Sequence, residues 1–225
     1  MEFDEAVDRA PPGWRRFAFE DVALLPDAVR AHEMARVPPR ESEERIVRGL
    51  FWTLVYHLEA ERWDELARHE PIASELIEAL PERVETALDV GAGSGRLTQH
   101  LVARATNVVA VEPSVPLRAL LSKRYPNVRA LSAWAEALPF ASGSFQLTAA
   151  CGAFGPDPVV LTELRRVTAR GGLVALISPE HPEWFETQGW KRVGAPTIPP
   201  LEHPPWLDEF FGPLDPPHEL VMTTV

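Results

Sequence analysis

The fold of this chain is decided by the stretch Thr86–Leu101, which reads TALDVGAGSGRLTQHL. Residues 87–90, which are apolar apart from Asp89, predict a short buried strand. The three glycines that follow predict a tight turn, because glycine accepts positive φ and lets a ligand approach the backbone closely. A helix should begin after the turn, and the N–H groups at its start favour a polar or anionic ligand group. Many nucleotide-binding folds share this pattern, so the stretch alone leaves the ligand open.

A second apolar run, Asn107–Glu112, ends in an acid that lies 21 residues after Gly91. A carboxylate at the tip of a second parallel strand can bind both hydroxyls of a ribose. The dinucleotide-binding fingerprint is incomplete, because its third small residue would fall on Arg96 or Thr98. Both side chains are too large for the close helix–strand contact that Gly or Ala permits. The pattern therefore favours a different ribose-bearing ligand, and a nicotinamide-dependent oxidoreductase is the alternative.

Four blocks along the chain occur in an order and spacing that resemble one protein family, the class I S-adenosyl-L-methionine-dependent methyltransferases. The resemblance covers about residues 60–195. It implies a Rossmann-like, mostly parallel seven-stranded sheet that ends in an antiparallel hairpin. It also implies S-adenosyl-L-methionine as the cofactor and S-adenosyl-L-homocysteine as its product. The blocks are Asp89–Gly95, Glu112–Ser114, Ala135–Phe140, and the pair Gly171-Gly172 after a helix that contains Glu163 and Arg166.

The resemblance also implies a set of cofactor-binding residues at strand ends. The glycine-rich turn would receive the amino-acid and ribose portions, and Glu112 would hold the ribose hydroxyls. The carbonyl of Cys151 would meet the amino group. Trp134 stands where relatives often carry an acid that bonds the adenine amino group, so it either stacks on the adenine or covers the edge of the core. The full set is Asp89, Gly91, Ala92, Gly93, Glu112, Pro113, Trp134, Ala135 and Cys151.

The sequence does not identify a catalytic base. The stretch Cys151–Asp157 contains no histidine and lacks the Asn/Asp-Pro-Pro-Tyr/Phe signature of enzymes that methylate amino groups of nucleic acids. His181, just beyond the fifth strand, is the better candidate. No Cys/His pair has metal-ligand spacing, and Glu202-His203 alone is too little for a metal site. Methyl transfer would then depend mainly on proximity and desolvation. A non-catalytic cofactor-binding sensor or scaffold module is the alternative.

Strands and helices are expected to alternate from residue 85 onwards, which predicts an α/β fold with parallel strands. Ligands of such sheets bind outside the carboxyl ends of the strands, where the strand order reverses. Two more strands, at 189–196 and 218–225, would form the terminal hairpin. The strands of the alternating part are predicted at 86–90, 107–112, 127–131, 145–151 and 172–178, and its helices at 95–104, 115–124 and 157–169.

Two additions flank this core. Residues 1–70 predict a helical N-terminal extension, with an apolar stripe from Ile46 to Leu58. Residues 71–225 are predicted to form the cofactor-binding core, with a proline-rich insertion at about 197–217. Trp63 of the extension either closes over the cofactor or packs a helix interface. The hypothesis is that the extension and the insertion, which carries Trp206, Phe210 and Phe211, fold together as a lid that selects the substrate.

Charge and hydropathy restrict the class of partner. The net charge is −11, divided into −8 for residues 1–80, +3 for residues 81–178 and −6 for residues 179–225. Acidic additions would repel phosphate backbones, which argues against DNA or RNA and for a small-molecule acceptor. The acid excess serves either solubility or attraction of the substrate. The sequence specifies neither the acceptor atom nor an oligomeric state.

No membrane or secretory segment is predicted. The longest apolar run, Gly49–Leu58, is too short to span a bilayer. The N-terminus MEFDE is acidic and lacks the apolar core of a signal peptide. Cys151 is the single cysteine, so no intrachain disulfide can form, which fits a reducing compartment. We therefore expect a cytoplasmic protein.

Overall fold

The computed structural model describes residues 3–194 and 201–225. The end of the strand predicted at 189–196 and the first prolines of the insertion lie outside these residues. The described chain divides into two compact units. One holds residues 3–69 and 201–215 and is called the helical unit. The other holds residues 70–194 and 216–225 and is called the α/β unit.

The helices and strands are numbered in chain order. The helices are α1 Phe3–Asp8, α2 Asp27–Met34, α3 Glu43–Gly49, α4 Phe51–Leu58, α5 Ala60–His69, α6 Ser74–Glu78, α7 Thr98–Leu101, α8 Val115–Arg124, α9 Pro158–Val167, α10 Pro182–Thr187 and α11 Pro205–Phe211. Two short 3-10 helices, Pro12–Arg16 and Phe19–Leu24, lie between α1 and α2. The strands are β1 Val84–Val90, β2 Ala105–Val111, β3 Arg129–Leu131, β4 Phe145–Cys151, β5 Thr168–Ile177, β6 Lys191–Gly194 and β7 Glu219–Thr224.

The α/β unit is built on one seven-stranded sheet with the order β3-β2-β1-β4-β5-β7-β6. The five strands from β3 to β5 pair in parallel, whereas β7 pairs antiparallel with both β5 and β6. The strand order reverses between β1 and β4, because the chain builds outward through β2 and β3 before it returns to the other side of β1. The predicted Rossmann-like, mostly parallel fold with an antiparallel C-terminal pair is confirmed.

Two apolar layers pack on the sheet, and the alternation of strand side chains separates them. Ala87 of β1 belongs to one layer with residues of α6, α7 and α8. Leu88, the next residue, belongs to the other layer with residues of α9 and α10. Helices therefore cover both faces, as a parallel sheet requires. What remains accessible for a ligand is the edge of the sheet at the carboxyl ends of its strands.

The helical unit joins the N-terminal helices to residues that are distant in the sequence. Leu207, Phe210 and Phe211 of α11 are buried in a cluster with Phe51 and Val55 of α4. Half-buried aromatic rings surround this cluster, at Trp14, Phe17, Trp52, Tyr56, Trp63 and Trp206. The insertion and the extension thus share one apolar core. Trp63 lies in contact with Tyr56, with ring centroids 4.9 Å apart. Its role over the cofactor stays a prediction.

The chain's acid excess is concentrated in the helical unit. Residues 1–69 and 201–215 contain 19 acidic and 10 basic residues, a net charge of −9 out of the chain's −11. The α/β unit is nearly neutral by comparison. Most of the charge of the two acidic sections of the sequence therefore belongs to one folded unit.

Candidate functional site

Three chemically distinctive residues lie at the carboxyl ends of three adjacent strands. Asp89 is the penultimate residue of β1, Glu112 directly follows β2, and Cys151 ends β4. The strand register places these ends side by side, since Val90 pairs with Val111 and Asp89 with Ala149. This edge is also the point where the strand order reverses. It is where open α/β sheets bind their ligands.

The glycine-rich turn curls from β1 towards the end of β2. The N–H groups of Gly91 and Ala92 both donate to the carbonyl of Val111, at 2.9 and 3.1 Å. Gly91 has φ +68°, and a Cβ added there would lie 2.8 Å from Cβ of Ala153. Gly93 also has a positive φ of 55°. Glycine is required at the first position by both backbone conformation and close approach.

Glu112 is fixed by the backbone of both loops beside it. Its Oε2 accepts a hydrogen bond from the N–H of Gly93 at 2.9 Å, and its Oε1 accepts one from the N–H of Ser114 at 2.7 Å. Burial raises the pKa of this carboxyl group, while the two N–H donors and the charge of Arg118 oppose that rise. The result is an oriented carboxylate whose remaining lone pairs can accept hydrogen bonds from hydroxyl groups.

Asp89 is completely buried and only half satisfied. Its Oδ2 accepts a hydrogen bond of 2.5 Å from the hydroxyl of Thr98, the first residue of α7. Its Oδ1 is buried without a hydrogen-bond partner. Burial raises the pKa of Asp89 to about 7, the Thr98 bond opposes this, and the nearby charge of Glu112 adds to it. Leaving a buried acceptor without a partner costs free energy, so a ligand that donates a hydrogen bond to Oδ1 would be stabilised there.

The other predicted site residues lie on the same edge. Pro113 follows Glu112, and Trp134 and Ala135 lie half-buried in the loop after β3. Strand β3 pairs with β2, so this loop follows the strand next to Glu112. Burial raises the pKa of the Cys151 thiol to about 11, with the charge of Arg96 opposing. A protonated, buried thiol is a poor nucleophile.

The loop that carries Trp134 is anchored by α9. Glu163 accepts a hydrogen bond from the N–H of Leu138 at 2.9 Å. Arg166 donates to the carbonyls of Phe140 and Leu138 at 2.7 and 2.9 Å. Two of the blocks that carried the family resemblance, 135–140 and the Glu163–Arg166 helix, are therefore in contact. Their joint occurrence in the sequence has a structural cause.

His181, the candidate base, lies on the loop after β5. Ser178 and His181 both have positive φ, 44° and 52°, which is rare for residues other than glycine. The loop also packs against the one after β4, since a Cβ added at Gly155 would lie 2.9 Å from Cβ of Glu180. Nδ1 of His181 is 3.4 Å from Oε1 of Glu183. Strained backbone of this kind clusters at functional sites, and His181 stays a predicted base.

The sequence reasoning missed an ion pair beside the glycine-rich turn. Arg96 Nη1 donates to Oε2 of Glu70 at 3.1 Å, and each side chain is only 11% exposed. Two other arginines brace the loops from outside. Arg118 donates to the carbonyl of Glu112 at 2.5 Å, and Arg124 donates to that of Ser94 at 3.0 Å. The one signal in the sequence was the large Arg96 at a position where a dinucleotide site needs a small residue.

Comparison with known proteins finds methyltransferases that are similar to part of the α/β unit. The family described as "Methyltransferase domain" matches residues 87–172. These residues are therefore similar to a methyltransferase domain. An uncharacterized methyltransferase of Mycobacterium tuberculosis is 34% identical over 115 residues, which are 50% of this chain and 46% of that protein. Demethylmenaquinone methyltransferase of Beutenbergia cavernae is 33% identical over 103 residues, which are 44% of this chain and 43% of that protein.

The solved structures agree on the fold. A SAM-dependent methyltransferase from Thermotoga maritima superposes with a TM-score of 0.53 at 19% identity, covering 77% of this chain and 98% of that one. The resemblance to class I S-adenosyl-L-methionine-dependent methyltransferases that the sequence indicated is thus confirmed. The chain spans about half the length of the curated relatives it matches.

The matched residues carry groups that can contact a ligand with amino and hydroxyl groups. The unpartnered Oδ1 of Asp89 can accept a hydrogen bond from an ammonium group, and Glu112 presents an oriented carboxylate to hydroxyl groups. The turn at Gly91 leaves no room for a side chain, which allows a ligand close to the backbone. Within residues 3–194 and 201–225, no group of three or more His, Cys, Asp or Glu residues is arranged to hold a metal ion. No helix of those residues is long and apolar enough to cross a membrane.

Proposed function

We propose that the protein transfers a methyl group from S-adenosyl-L-methionine to a small-molecule acceptor. The observation that carries the proposal is the pairing of the glycine-rich turn with Glu112. The N–H of Gly93 bonds the Glu112 carboxylate directly, at 2.9 Å, so the turn and the acid form one rigid surface at the ends of β1 and β2. At this surface a ligand can approach the backbone of the turn closely, and the buried carboxylate of Glu112 can accept hydrogen bonds from its hydroxyl groups.

The cofactor would lie along this edge of the sheet. Glu112 and Pro113 would bind its ribose, and Trp134 with Ala135 would hold its adenine. Asp89 would accept a hydrogen bond from the amino group, alongside the carbonyl of Cys151. The turn residues Gly91, Ala92 and Gly93 would contact the amino-acid and ribose portions through backbone atoms. Each assignment follows the family resemblance and is a proposal for this chain.

When bound, S-adenosyl-L-methionine supplies an electrophilic methyl group on a sulfonium. The chain's own task is then to hold the acceptor in line with that group and to exclude water. The loop after β4 lies at the end of the strand next to β1, and the loop after β5 lies at the end of the strand beyond it. These two loops are the candidates for this task. His181 on the β5 loop is the proposed base for acceptors that must lose a proton.

The charge of the helical unit bears on the class of acceptor. A net charge of −9 on one unit disfavours nucleic acid and other polyanions. It favours neutral or cationic small molecules, which a negative field attracts. We propose that the helical unit selects the acceptor, because its half-buried aromatic residues offer apolar contact area within an acidic unit.

A non-catalytic, cofactor-binding module is the second candidate. It is favoured by the loop after β4, where residues 152–156 carry no titratable side chain. The next residue, Asp157, is used structurally, because its Oδ1 accepts hydrogen bonds from the N–H groups of Val159 and Val160 and caps α9. The nicotinamide-dependent alternative has lost its support, since the matched family is that of methyltransferases.

Two measurements test the proposal. Calorimetry should show binding of S-adenosyl-L-homocysteine and no binding of nicotinamide dinucleotides. Incubation with methyl-labelled S-adenosyl-L-methionine and a panel of neutral, cationic and anionic metabolites should then transfer label to a neutral or cationic acceptor. Cofactor binding without transfer to any panel member would favour the sensor module. Absence of cofactor binding would refute both candidates.

A further inference from the structure

The Arg96–Glu70 ion pair lies in the α/β unit and has no place in the function described so far. Nη1 of Arg96 is 3.1 Å from Oε2 of Glu70, and each side chain is only 11% exposed. An ion pair buried to this degree loses hydration that its own attraction barely offsets. Such a pair is therefore poorly explained by stability alone. Its position gives a better explanation.

Arg96 directly follows the last glycine of the turn, and its guanidinium reaches across to β4. Its Nη2 is 3.4 Å from the point that a Cβ added at Gly152 would occupy. It is also close enough to Cys151 to act on the pKa of that thiol, as are the carboxylates of Asp89 and Glu70. The guanidinium thus lies at the carboxyl end of β4, the strand that pairs with β1 where the strand order reverses.

The other arginines of this edge are used differently. Arg118 donates to the backbone carbonyls of residues 112, 113 and 114, and Arg124 donates to the carbonyl of Ser94. These contacts hold loops in place. Arg96 is paired with a carboxylate instead, and that carboxylate comes from Glu70, 26 residues earlier in the chain. A carboxylate partner orients a guanidinium, whose five donors in a planar fork can serve two carboxylates at once.

Asp89 supplies the second, independent observation that points to a ligand. Its side chain is fully buried, and Oδ1 has no hydrogen-bond partner. The buried acceptor of Asp89 and the shielded guanidinium of Arg96 both lie near Cys151, so this edge of the sheet offers an acceptor and a cation at neighbouring strand ends. The ligand chemistry that matches both is a zwitterion with an ammonium and a carboxylate on one carbon, which is an α-amino acid group.

We propose that Arg96 binds the α-carboxylate of the cofactor's amino-acid end and that Glu70 is the positioning residue that orients its guanidinium. This rests on the proposed function, because it takes S-adenosyl-L-methionine as the ligand. It adds a specificity element: the site selects an intact amino-acid end, and it discriminates against nucleosides and thioethers that lack the carboxylate.

Calorimetry on the full chain with two probes tests the proposal. One probe is S-adenosyl-L-homocysteine, and the other is its analogue in which hydrogen replaces the α-carboxylate. The unmodified protein should prefer the first by about tenfold or more, since a charge-assisted hydrogen bond contributes at this level. Arg96→Gln should abolish the preference while the affinity for the decarboxylated analogue stays within about twofold.

Further variants separate positioning from folding. Arg96→Lys keeps the charge but loses the planar fork, so it should retain only part of the preference. Glu70→Gln should lower the preference without removing it, because the guanidinium is still present but less well oriented. Arg192→Gln is the matched control, since Arg192 pairs with Glu186 and Glu219 at 2.9 and 2.6 Å on β6 and the adjoining elements. It should leave both affinities unchanged.

Three outcomes would overturn the proposal. The first is equal binding of both probes by the unmodified protein, a result that does not depend on whether any variant folds. The second is an Arg96→Gln protein that binds both probes more weakly by the same factor, which would make the pair structural. If the unmodified protein binds neither probe, the cofactor assignment fails together with this inference. The first two outcomes leave the proposed methyl transfer intact, so the two failures are distinguishable.

Discussion

Asp89 is the residue at which the fold and the proposed function are most closely linked. It lies at the end of a central strand, fully buried, with one carboxylate oxygen bonded to Thr98 and the other without a partner. An unsatisfied buried acceptor costs about 1–3 kcal/mol in a protein. This cost would be recovered when a donor from a ligand arrives. Residues of this kind destabilise the unliganded fold and favour the bound state.

Asp89 should also make stability depend on pH. Its pKa in the folded protein is about 7, above the ordinary 3.8, so the folded state holds the proton more tightly than the unfolded state does. The resulting stabilisation is fully present below the lower value and is lost as pH rises through about 7. Urea unfolding should therefore show stability falling across this range, and Asp89→Asn should flatten the dependence. A variant with the original slope would contradict the assignment.

Glu112 should control recognition of the ribose. Glu112→Ala removes a carboxylate that can make two charge-assisted contacts, each worth about 1.5–3 kcal/mol before compensation. Calorimetry should show that affinity for S-adenosyl-L-homocysteine falls by about tenfold or more. Because Glu112 also bonds the N–H groups of Gly93 and Ser114, the loss needs a ligand control. The unmodified protein should prefer the cofactor product over its 2′-deoxy analogue, and the variant should not. A preference that persists would refute the ribose assignment.

At the scale of single residues, the sequence was informative wherever the constraint was local. Asp89 and Glu112 are predictable because a strand end, a turn and a fixed spacing recur together. The Arg96–Glu70 pair is not, because its partners lie 26 residues apart, one directly after α5 and the other in the turn before α7. A local sequence pattern does not show which distant segments of the chain come into contact. The size of Arg96 shows only that no dinucleotide turn is present.

The elements themselves were predicted well in kind and less well in extent. The helix expected at 95–104 is regular only over α7, Thr98–Leu101, because the glycine-rich turn extends through the preceding residues. The apolar stripe from 46 to 58 is divided into α3 and α4 near Gly49. A Cβ added at Gly49 would lie 2.3 Å from the ring of Phe3, so α1 packs closely at the break. The periodicity of apolar residues cannot predict a tertiary contact of this kind.

The loop after β3 supports a prediction about Trp134. Its anchoring by Glu163 and Arg166 fixes the loop beside the end of β2, and the indole is half-buried there. If the indole lies against the adenine, binding of S-adenosyl-L-homocysteine should change tryptophan emission. Trp134→Ala should remove that part of the signal and weaken binding by an amount typical of base–aromatic stacking, about 1–3 kcal/mol.

The chain has seven tryptophans, so the comparison must be made between the unmodified protein and the variant. Trp190→Phe is a suitable control, because Trp190 is buried in the apolar layer with Phe185 and lies on neither loop of the proposed site. That variant should lower the total emission and keep the ligand-induced change. A Trp134→Ala protein with the full signal and unchanged affinity would mean that Trp134 only covers the core edge.

At the scale of the molecule, the division into two units changes the meaning of the sequence pattern. The acidic extension and the acidic, proline-rich insertion are separated by about 130 residues, yet they share one apolar core. The sequence supports a hypothesis that they fold together, but only the contacts of α11 with α4 give it a physical basis. Long-range pairing of this kind cannot be read from composition. The lid role itself stays a prediction.

Separate cores allow the roles of the two units to be tested by matched substitutions. Phe210 of the helical unit and Phe185 of the α/β unit are 1% and 0% exposed. Replacing either by Ala should cost about 3–5 kcal/mol, mostly within its own core. Proteins with separate cores commonly unfold in more than one transition. Addition of S-adenosyl-L-homocysteine should raise the melting temperature of the α/β unit and thereby identify its transition.

Phe210→Ala should then lower the transition that the ligand does not affect, and affinity for S-adenosyl-L-homocysteine should stay within about twofold. Turnover of the acceptor found in the metabolite panel should collapse, because the unit proposed to select it has lost its core. Phe185→Ala should instead lower the ligand-sensitive transition and weaken cofactor binding. If Phe210→Ala weakens cofactor binding as strongly as Phe185→Ala does, the units are not functionally separate. If it leaves turnover unchanged, the acceptor is selected within the α/β unit, and the proposed role of the helical unit is wrong.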